Sequence, residues 1–194
     1  MNSSVKALSV AVMAVVCLVS TNPAWAQRGR SREAQPSGFD NKELGIAFAV
    51  PPGVVLYTPD IPGPYRALLI DRKIALLVNP LEAEETMTIK YADGMSAADL
   101  KSYQNVLETN PPQAKLPGYE KVSLAFVKIG VAGAGEAIDY VYKVKQGGAD
   151  VTLRQVVFIH NGRGFTITCS APRKDFDQAN RVHFSALLKE LEFK

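Results

Sequence analysis

Two stretches of this chain, Ala67-Leu68-Leu69-Ile70 and Ile74-Ala75-Leu76-Leu77-Val78, are apolar at every position. A strand with one wet face alternates polar and apolar residues, so unbroken apolar runs of strand length belong to a sheet covered on both sides. Tyr65 to Ile70 and Lys73 to Val78 are separated by Asp71-Arg72, which suits a tight hairpin. Around them the other elements fall into order. Leu44 to Val50 alternates large and small residues until Pro51-Pro52-Gly53 stops it, and Val54 to Tyr57 is a short second piece. Met87 to Tyr91 alternates with period two, as a strand with one wet face should.

Ser96 then reads as a helix cap with Asp99 three positions on, and Leu100, Tyr103 and Leu107 share one face. Pro111-Pro112 ends that helix. Glu120 to Ile129, Ala137 to Lys145 and Val151 to His160 read as strands. A further strand, Gly164 to Ser170, follows a hairpin at Asn161-Gly162-Arg163. A second amphipathic helix, about Asp175 to Leu191, carries Phe176, Ala179, Asn180, Phe184, Leu187, Leu188 and Leu191 on one stripe. Strands, helix, strands, helix is not the strict alternation of a parallel α/β protein. It predicts an α+β domain, an α/β/α sandwich with a central, largely antiparallel sheet flanked by helices.

The chain begins differently. One lysine, Lys6, precedes an apolar run from Ala7 to Val19 interrupted only by Ser9, and Ala24-Trp25-Ala26 follows a polar stretch. This is the pattern of a cleavable secretion signal, residues 1–26, cut between Ala26 and Gln27. A membrane span needs about 20 apolar residues, more than this run offers. Cys17 follows Ala14-Val15-Val16 and lies within the run, which does not fit a lipid-anchor signal. Residues 27–38 are polar and rich in small residues, and read as a disordered leader; Arg28, Arg30 and Arg32 make it basic. Residues 39–194 then form a single domain, large enough to bury a core without staples. The expected localisation is periplasmic or secreted, with no transmembrane segment in the mature chain.

Charge excludes some functions. The 22 basic and 19 acidic residues include only Lys6 from the signal, so the mature chain is nearly balanced and gives no basis for nucleic-acid binding. Of the 2 cysteines only Cys169 survives cleavage, so no internal disulfide can form.

The candidate chemistry is thin. Cys169 as nucleophile would need His160 as base. Across a hairpin centred near Gly162, however, His160 faces a residue between Arg163 and Phe165. Cys169 then lies four to six residues further on, roughly 13–20 Å at about 3.3 Å per residue. Cys169 shares a face with Phe165 and Ile167 and reads as a buried small hydrophobe. His183, beside Val182 and Phe184, reads as a partly covered surface imidazole. The 2 histidines are far apart, and no His/Cys/Asp/Glu cluster has metal-ligand spacing. Gly130 to Gly135 has the glycines of a phosphate loop but is followed by a strand, where such loops require a helix N-terminus; it reads as a flexible hairpin loop. Glu82, Glu84 and Glu85 read as a solvated acidic turn, without the alternating oxygen ligands of a calcium loop. Tyr140 and Tyr142 share a face with Ile138 and belong to a core. No catalytic, metal or cofactor residue is assigned, and the binding residues are not identified.

Three stretches carry a resemblance. They are Gly45-Ile46-Ala47-Phe48-Ala49-Val50-Pro51-Pro52-Gly53, the strands from Leu153-Arg154-Gln155 through Gly164-Phe165-Thr166-Ile167-Thr168, and the final helix with Phe184, Leu187-Leu188 and Leu191-Glu192-Phe193. Over about Phe39 to Phe193 the chain resembles the PsbP-like superfamily, with its PsbP, DcrB-type and LpqN-type exported members. The bacterial members commonly have Trp where this chain has Val54, and many carry a lipid-anchor cysteine. The ligands of the plant metal sites find no match here. The resemblance implies an α/β/α sandwich and a non-catalytic role, as an envelope binding or assembly module whose partner is another envelope protein. Two alternatives stay open: a carrier of a small apolar ligand, and a hydrolase or thiol enzyme with a dispersed site.

Overall fold

The computed structural model describes residues 38–52, 54–58, 74–78 and 85–194. The secretion signal, most of the basic leader, the Tyr65 to Ile70 run with its Asp71-Arg72 hairpin, and Glu82 and Glu84 lie outside the described residues.

Among the described residues ten strands form two antiparallel sheets. The larger has seven strands in the order β3-β4-β5-β9-β8-β7-β6. These are β3 (Val55–Tyr57), β4 (Ile74–Val78), β5 (Thr86–Asp93), β6 (Glu120–Ile129), β7 (Gly135–Gln146), β8 (Ala149–His160) and β9 (Arg163–Pro172). The smaller sheet has the order β1-β2-β10, from β1 (Gly38–Asn41), β2 (Ile46–Ala49) and β10 (Glu192–Phe193). Helix α1 (Ala97–Thr109) follows β5. Near the C-terminus α2 (Phe176–Ala179), a π-helical turn (Asn180–Phe184) and α3 (Ser185–Glu190) run on as one helical stretch. The fold is α+β, as the order of elements predicts.

The strands from β6 to β9 form a meander because their turns are local. Gly147 and Gly148, at φ 57° and 88°, close the β7–β8 hairpin between the paired Gln146 and Ala149. Asn161 and Gly162, at φ 48° and 71°, close the β8–β9 hairpin between His160 and Arg163. Two successive positive φ values make the type I′ turn whose twist matches the strands it joins. Arg163 therefore belongs to β9 and not to the turn. The meander then returns on itself. β9 pairs with β5 over eight residues, Thr86 opposite Ser170 through Asp93 opposite Arg163. Arg163 Nε donates to Asp93 Oδ1 at 2.8 Å and Met95 N to Gly162 O at 2.9 Å, fastening the far hairpin to the exit of β5.

Alternation along the central strands sends side chains to two apolar clusters. Leu153 and Val157 of β8, with Ile138, Tyr140 and Tyr142 of β7, join Leu100, Tyr103 and Leu107 of α1. Val156 and Phe158 of β8, with Phe165, Ile167 and Cys169 of β9, join Phe176, Phe184, Leu187 and Leu188, together with Ile46 and Phe48 of β2. The helix faces are those that the apolar spacing marks. At the start of α1, Asp99 Oδ2 accepts from Ser96 N at 2.8 Å and from Ser96 Oγ at 2.7 Å, which holds its carboxyl below the usual aspartate range.

Two expectations need correction. β5 has no wet face: Thr86, Thr88 and Lys90 are buried like the apolar Met87 and Ile89 between them. Period-two alternation reports a change of chemistry from face to face, and here both faces are covered. The small sheet begins at Gly38, inside the stretch read as leader. Polar Asp40 and Asn41 hide a strand anchored by the ring of Phe39, stacked on Phe48 at 5.0 Å between centroids.

Ile167, fully buried opposite Ile89 and Val156, tests the core against the edge of the sheet. Ile167→Ala is expected to lower unfolding free energy by about 2–5 kcal/mol in urea denaturation. Val122→Ala on exposed β6 is expected to change it by less than about 0.5 kcal/mol.

Candidate functional site

The thiol and His160 do not meet. Cys169 is buried between Met87 of β5 and Arg154 of β8, its cross-strand neighbours. Burial pushes its thiol far up, with Arg154 pulling weakly the other way. A nucleophilic cysteine needs the opposite shift. His160 stands opposite Arg163, six residues from Cys169 along β9, roughly 20 Å at about 3.3 Å per residue. Its Nε2 lies 3.0 Å from the carbonyl oxygen of Lys194, and its ring packs on Phe193.

His183 is largely covered. It lies in the π-helical turn with its side chain 12% exposed, and its Nδ1 meets Glu85 Oε1. Glu85 in turn is buried, which overturns its reading as part of a solvated turn. It sits one residue before β5, where the strand parity turns its side chain toward the helix-covered face. The two residues are 98 positions apart, so no local spacing announces the pair.

A second polar cluster lies on the same face. Arg154 grips Asp139 through Nε to Oδ1 at 3.0 Å and Nη2 to Oδ2 at 2.8 Å. Its Nη1 donates to Asn180 Oδ1 at 2.7 Å and Ser185 Oγ at 3.0 Å. Asn180 opens the π-helical turn and Ser185 opens α3, so one guanidinium fixes the C-terminal helix to the sheet. The fork-to-fork geometry suits arginine, which supplies planar paired donors. Sequence reading missed this pair, although charged residues flanked by Ile138 and Tyr140, and by Leu153, are its signature. Among the described residues no group of three or more His, Cys, Asp or Glu side chains is placed to hold a metal ion.

On the α1 side, Tyr103, Tyr140 and Tyr142 are buried, as core residues should be. Burial pushes the Tyr103 phenol up to about 12, against a smaller downward pull from nearby Gln113, and raises Tyr140 and Tyr142 further. Tyr140 also shares a hydroxyl contact with Tyr119. Gln113 Nε2 donates to Gln155 Oε1 at 3.1 Å. Tyr103 Oη and Gln113 Oε1 are buried and make no hydrogen bond in this geometry. Tyr103, Tyr140 and Tyr142 pack in the apolar cluster beneath α1.

The Gly130 to Gly135 loop joins β6 to β7 through a short 3-10 turn, Val131–Gly133. Its amides are already used. Gly130 N donates to Leu188 O and Val131 N to Leu191 O, both at 2.9 Å, which caps the carbonyl end of α3. A side chain at Gly130 or Gly135 would collide with the Phe193 ring, at 2.7 and 2.6 Å. The loop receives a helix C-terminus where a phosphate loop presents a helix N-terminus.

What remains open is the outer edge of the sheet. β6 is an end strand of ten residues, and among the described residues no strand pairs with its outer side. Leu124, Val127 and Ile129 pack against the two clusters, but Val122 is 49% and Phe126 42% exposed, and Val131 just beyond the strand 50%. Natural edges are blunted by bulges and lysines, and β6 has a bulge between Lys121 and Ser123 and a second lysine at Lys128. Those devices guard its ends and leave Ser123 to Ile129 regular.

Two predictions follow from the polar groups. Asp139→Ala strands a largely buried guanidinium and is expected to lower stability by about 3–5 kcal/mol in chemical denaturation, with Arg154→Met added to it recovering most of the loss. The raised phenols stabilise the fold below the ordinary tyrosine pKa of about 10, and that stability is lost as pH rises through the folded values. Absorbance at 295 nm should therefore show Tyr103, Tyr140 and Tyr142 ionising only together with unfolding.

No protein-family model and no curated protein sequence matches the chain. Solved structures do. The chain is similar to CyanoP, the cyanobacterial PsbP of Synechocystis sp., at TM-score 0.54 and 13% identity over 86% of this chain and 99% of that one. It is similar to LpqN of Mycobacterium tuberculosis, which is involved in cell envelope biogenesis, at TM-score 0.51 and 15% identity over 77% and 83%. The Ran-binding protein Mog1p of Saccharomyces cerevisiae matches at TM-score 0.51 and 12% identity over 80% and 94%. A Bacteroides thetaiotaomicron protein matches at TM-score 0.55 and 14% identity over 82% of this chain, which spans about half, 49%, of that protein's length. Identities this low speak for architecture alone, and the architecture they agree on gives this chain the PsbP-like fold.

Proposed function

We propose that this chain is an exported, non-catalytic binding module of the cell envelope that acts through contacts with another envelope protein. The observation that carries the reading is β6, a long edge strand with exposed Val122 and Phe126 and, among the described residues, no strand paired with its outer side. Exposed apolar residues on a strand edge favour protein contacts, in which backbone pairing supplies affinity and side chains supply selection. The thiol and both histidines are committed to packing or to intramolecular bonds, which argues against a cysteine–histidine pair. Among proteins of similar fold, LpqN is involved in envelope biogenesis and Mog1p binds Ran.

In this reading residues 1–26 are removed on export, residues 27–38 lead into the body, and residues 39–194 form one α/β/α domain. The two apolar clusters, one under α1 and one under the C-terminal helix, support that layering. No helix among the described residues is long and apolar enough to cross a membrane.

A photo-crosslinking residue placed at position 126 in cells is expected to capture an envelope protein, and one placed at exposed position 189 is not. The protein recovered should start at Gln27. A small-molecule adduct with no protein adduct at 126, or loss of biological function in both Cys169→Ser and His160→Ala, would overturn the proposal.

A further inference from the structure

This inference rests on the binding reading and names the chemistry of the partner. On the α1 side of β6 the side chains are Lys121, Leu124, Phe126 and Lys128, opposite Tyr142, Tyr140, Ile138 and Glu136 of β7. The bulge residue Val122 makes Lys121 and Leu124 successive on that face. The edge therefore presents a cation, two apolar groups and a cation in one row. Lys121 makes no ion pair among the described residues. Lys128 is paired only with Glu136, where both side chains are about two-thirds exposed at 66% and 65%, so that pair holds it weakly.

We propose that β6 takes up, by strand addition over Lys121 to Ile129 with the bulge residue Val122 looped past, an extended segment of a partner protein with acid, apolar, apolar and acid residues at alternate positions. Each acid would face a lysine and each apolar residue Leu124 or Phe126, while small residues between them would lie along Ser123, Ala125 and Val127. Opposite charges directly across a strand pair stabilise it and like charges destabilise it. The same row disfavours a second copy of this chain. Two-fold pairing centred on Ala125 sets Leu124 against Phe126, but it also brings Lys121 opposite Lys128. Pairing centred on Leu124 or on Phe126 leaves a lysine facing an apolar side chain. The lysines thus select an acidic segment by repelling the alternative.

The test uses the purified protein and two blocked synthetic peptides, Glu-Thr-Val-Thr-Val-Thr-Glu and its counterpart with Lys at both ends, followed by amide chemical shifts. The acidic peptide is expected to shift amides from Ser123 to Ile129, with its affinity falling about tenfold in the exposed-site variant Lys121→Glu/Lys128→Glu. The lysine peptide should bind that variant better than the original protein. Absence of shifts in β6, or affinities that ignore the charge exchange, would overturn the inference. So would a dimer of the unmodified protein that Phe126→Glu dissociates, since a second copy would then own the edge. A protein adduct at position 126 together with failure of the peptides would sink this inference and leave the binding reading standing.

Discussion

The pairing of β5 with β9 is the contact on which the rest of the fold depends. Everything from β6 to β9 is built from neighbouring hairpins, and each can close as soon as its turn is made. The β5–β9 ladder instead joins Thr86 to Ser170 and Asp93 to Arg163, with α1 and three strands between them in the chain. Without it the meander and the β3–β5 unit are two small sheets, each with two open edges. With it they become one sheet, of which only the two end strands lack a second partner among the described residues. The ladder also sets the parity that brings Met87, Cys169 and Arg154 into one row beneath the C-terminal helix.

That row explains why the polar groups of the helix-covered face hold the structure together instead of doing chemistry. Arg154 spends its donors on Asp139, Asn180 and Ser185, and Glu85 meets His183 from the start of β5. Through Asn180 and His183 these contacts tie the π-helical turn to β8 and to the residue before β5. A π-helical turn widens the helix and interrupts its regular bonding, and it persists where side chains compensate. Here the compensation comes from the sheet. A burial that raises the Cys169 thiol is the natural result, because the same helix that receives these bonds seals the thiol from water.

Legibility followed the range of the forces. Helix α1 could be read because its cap and its apolar face, Ser96 with Leu100, Tyr103 and Leu107, lie within three turns. The strands β6 to β9 could be read because Gly147-Gly148 and Asn161-Gly162 mark their turns locally. The apolar stripe of the last helix was equally plain, but the π-helical turn inside it was not, since its partners lie on β8 and just before β5. β1 and β10 were hidden by being short and polar, with Phe39 and Phe193 as their only strong anchors. The Glu85–His183 and Asp139–Arg154 pairs depend on register, and register between distant strands leaves no local mark. The open edge of β6 was the least legible feature, because an edge is defined by what fails to pair with it.

Native-state hydrogen exchange on the isolated protein tests this architecture most directly. If β5–β9 closes the sheet and β6 is its free edge, the amides of Thr88, Ile89, Ile167 and Thr168 should exchange only through global unfolding. Alternate amides from Ser123 to Ile129, those pointing away from β7, should exchange orders of magnitude faster. Equal protection along all of β6 would contradict the account, because some part of the molecule would already cover that edge.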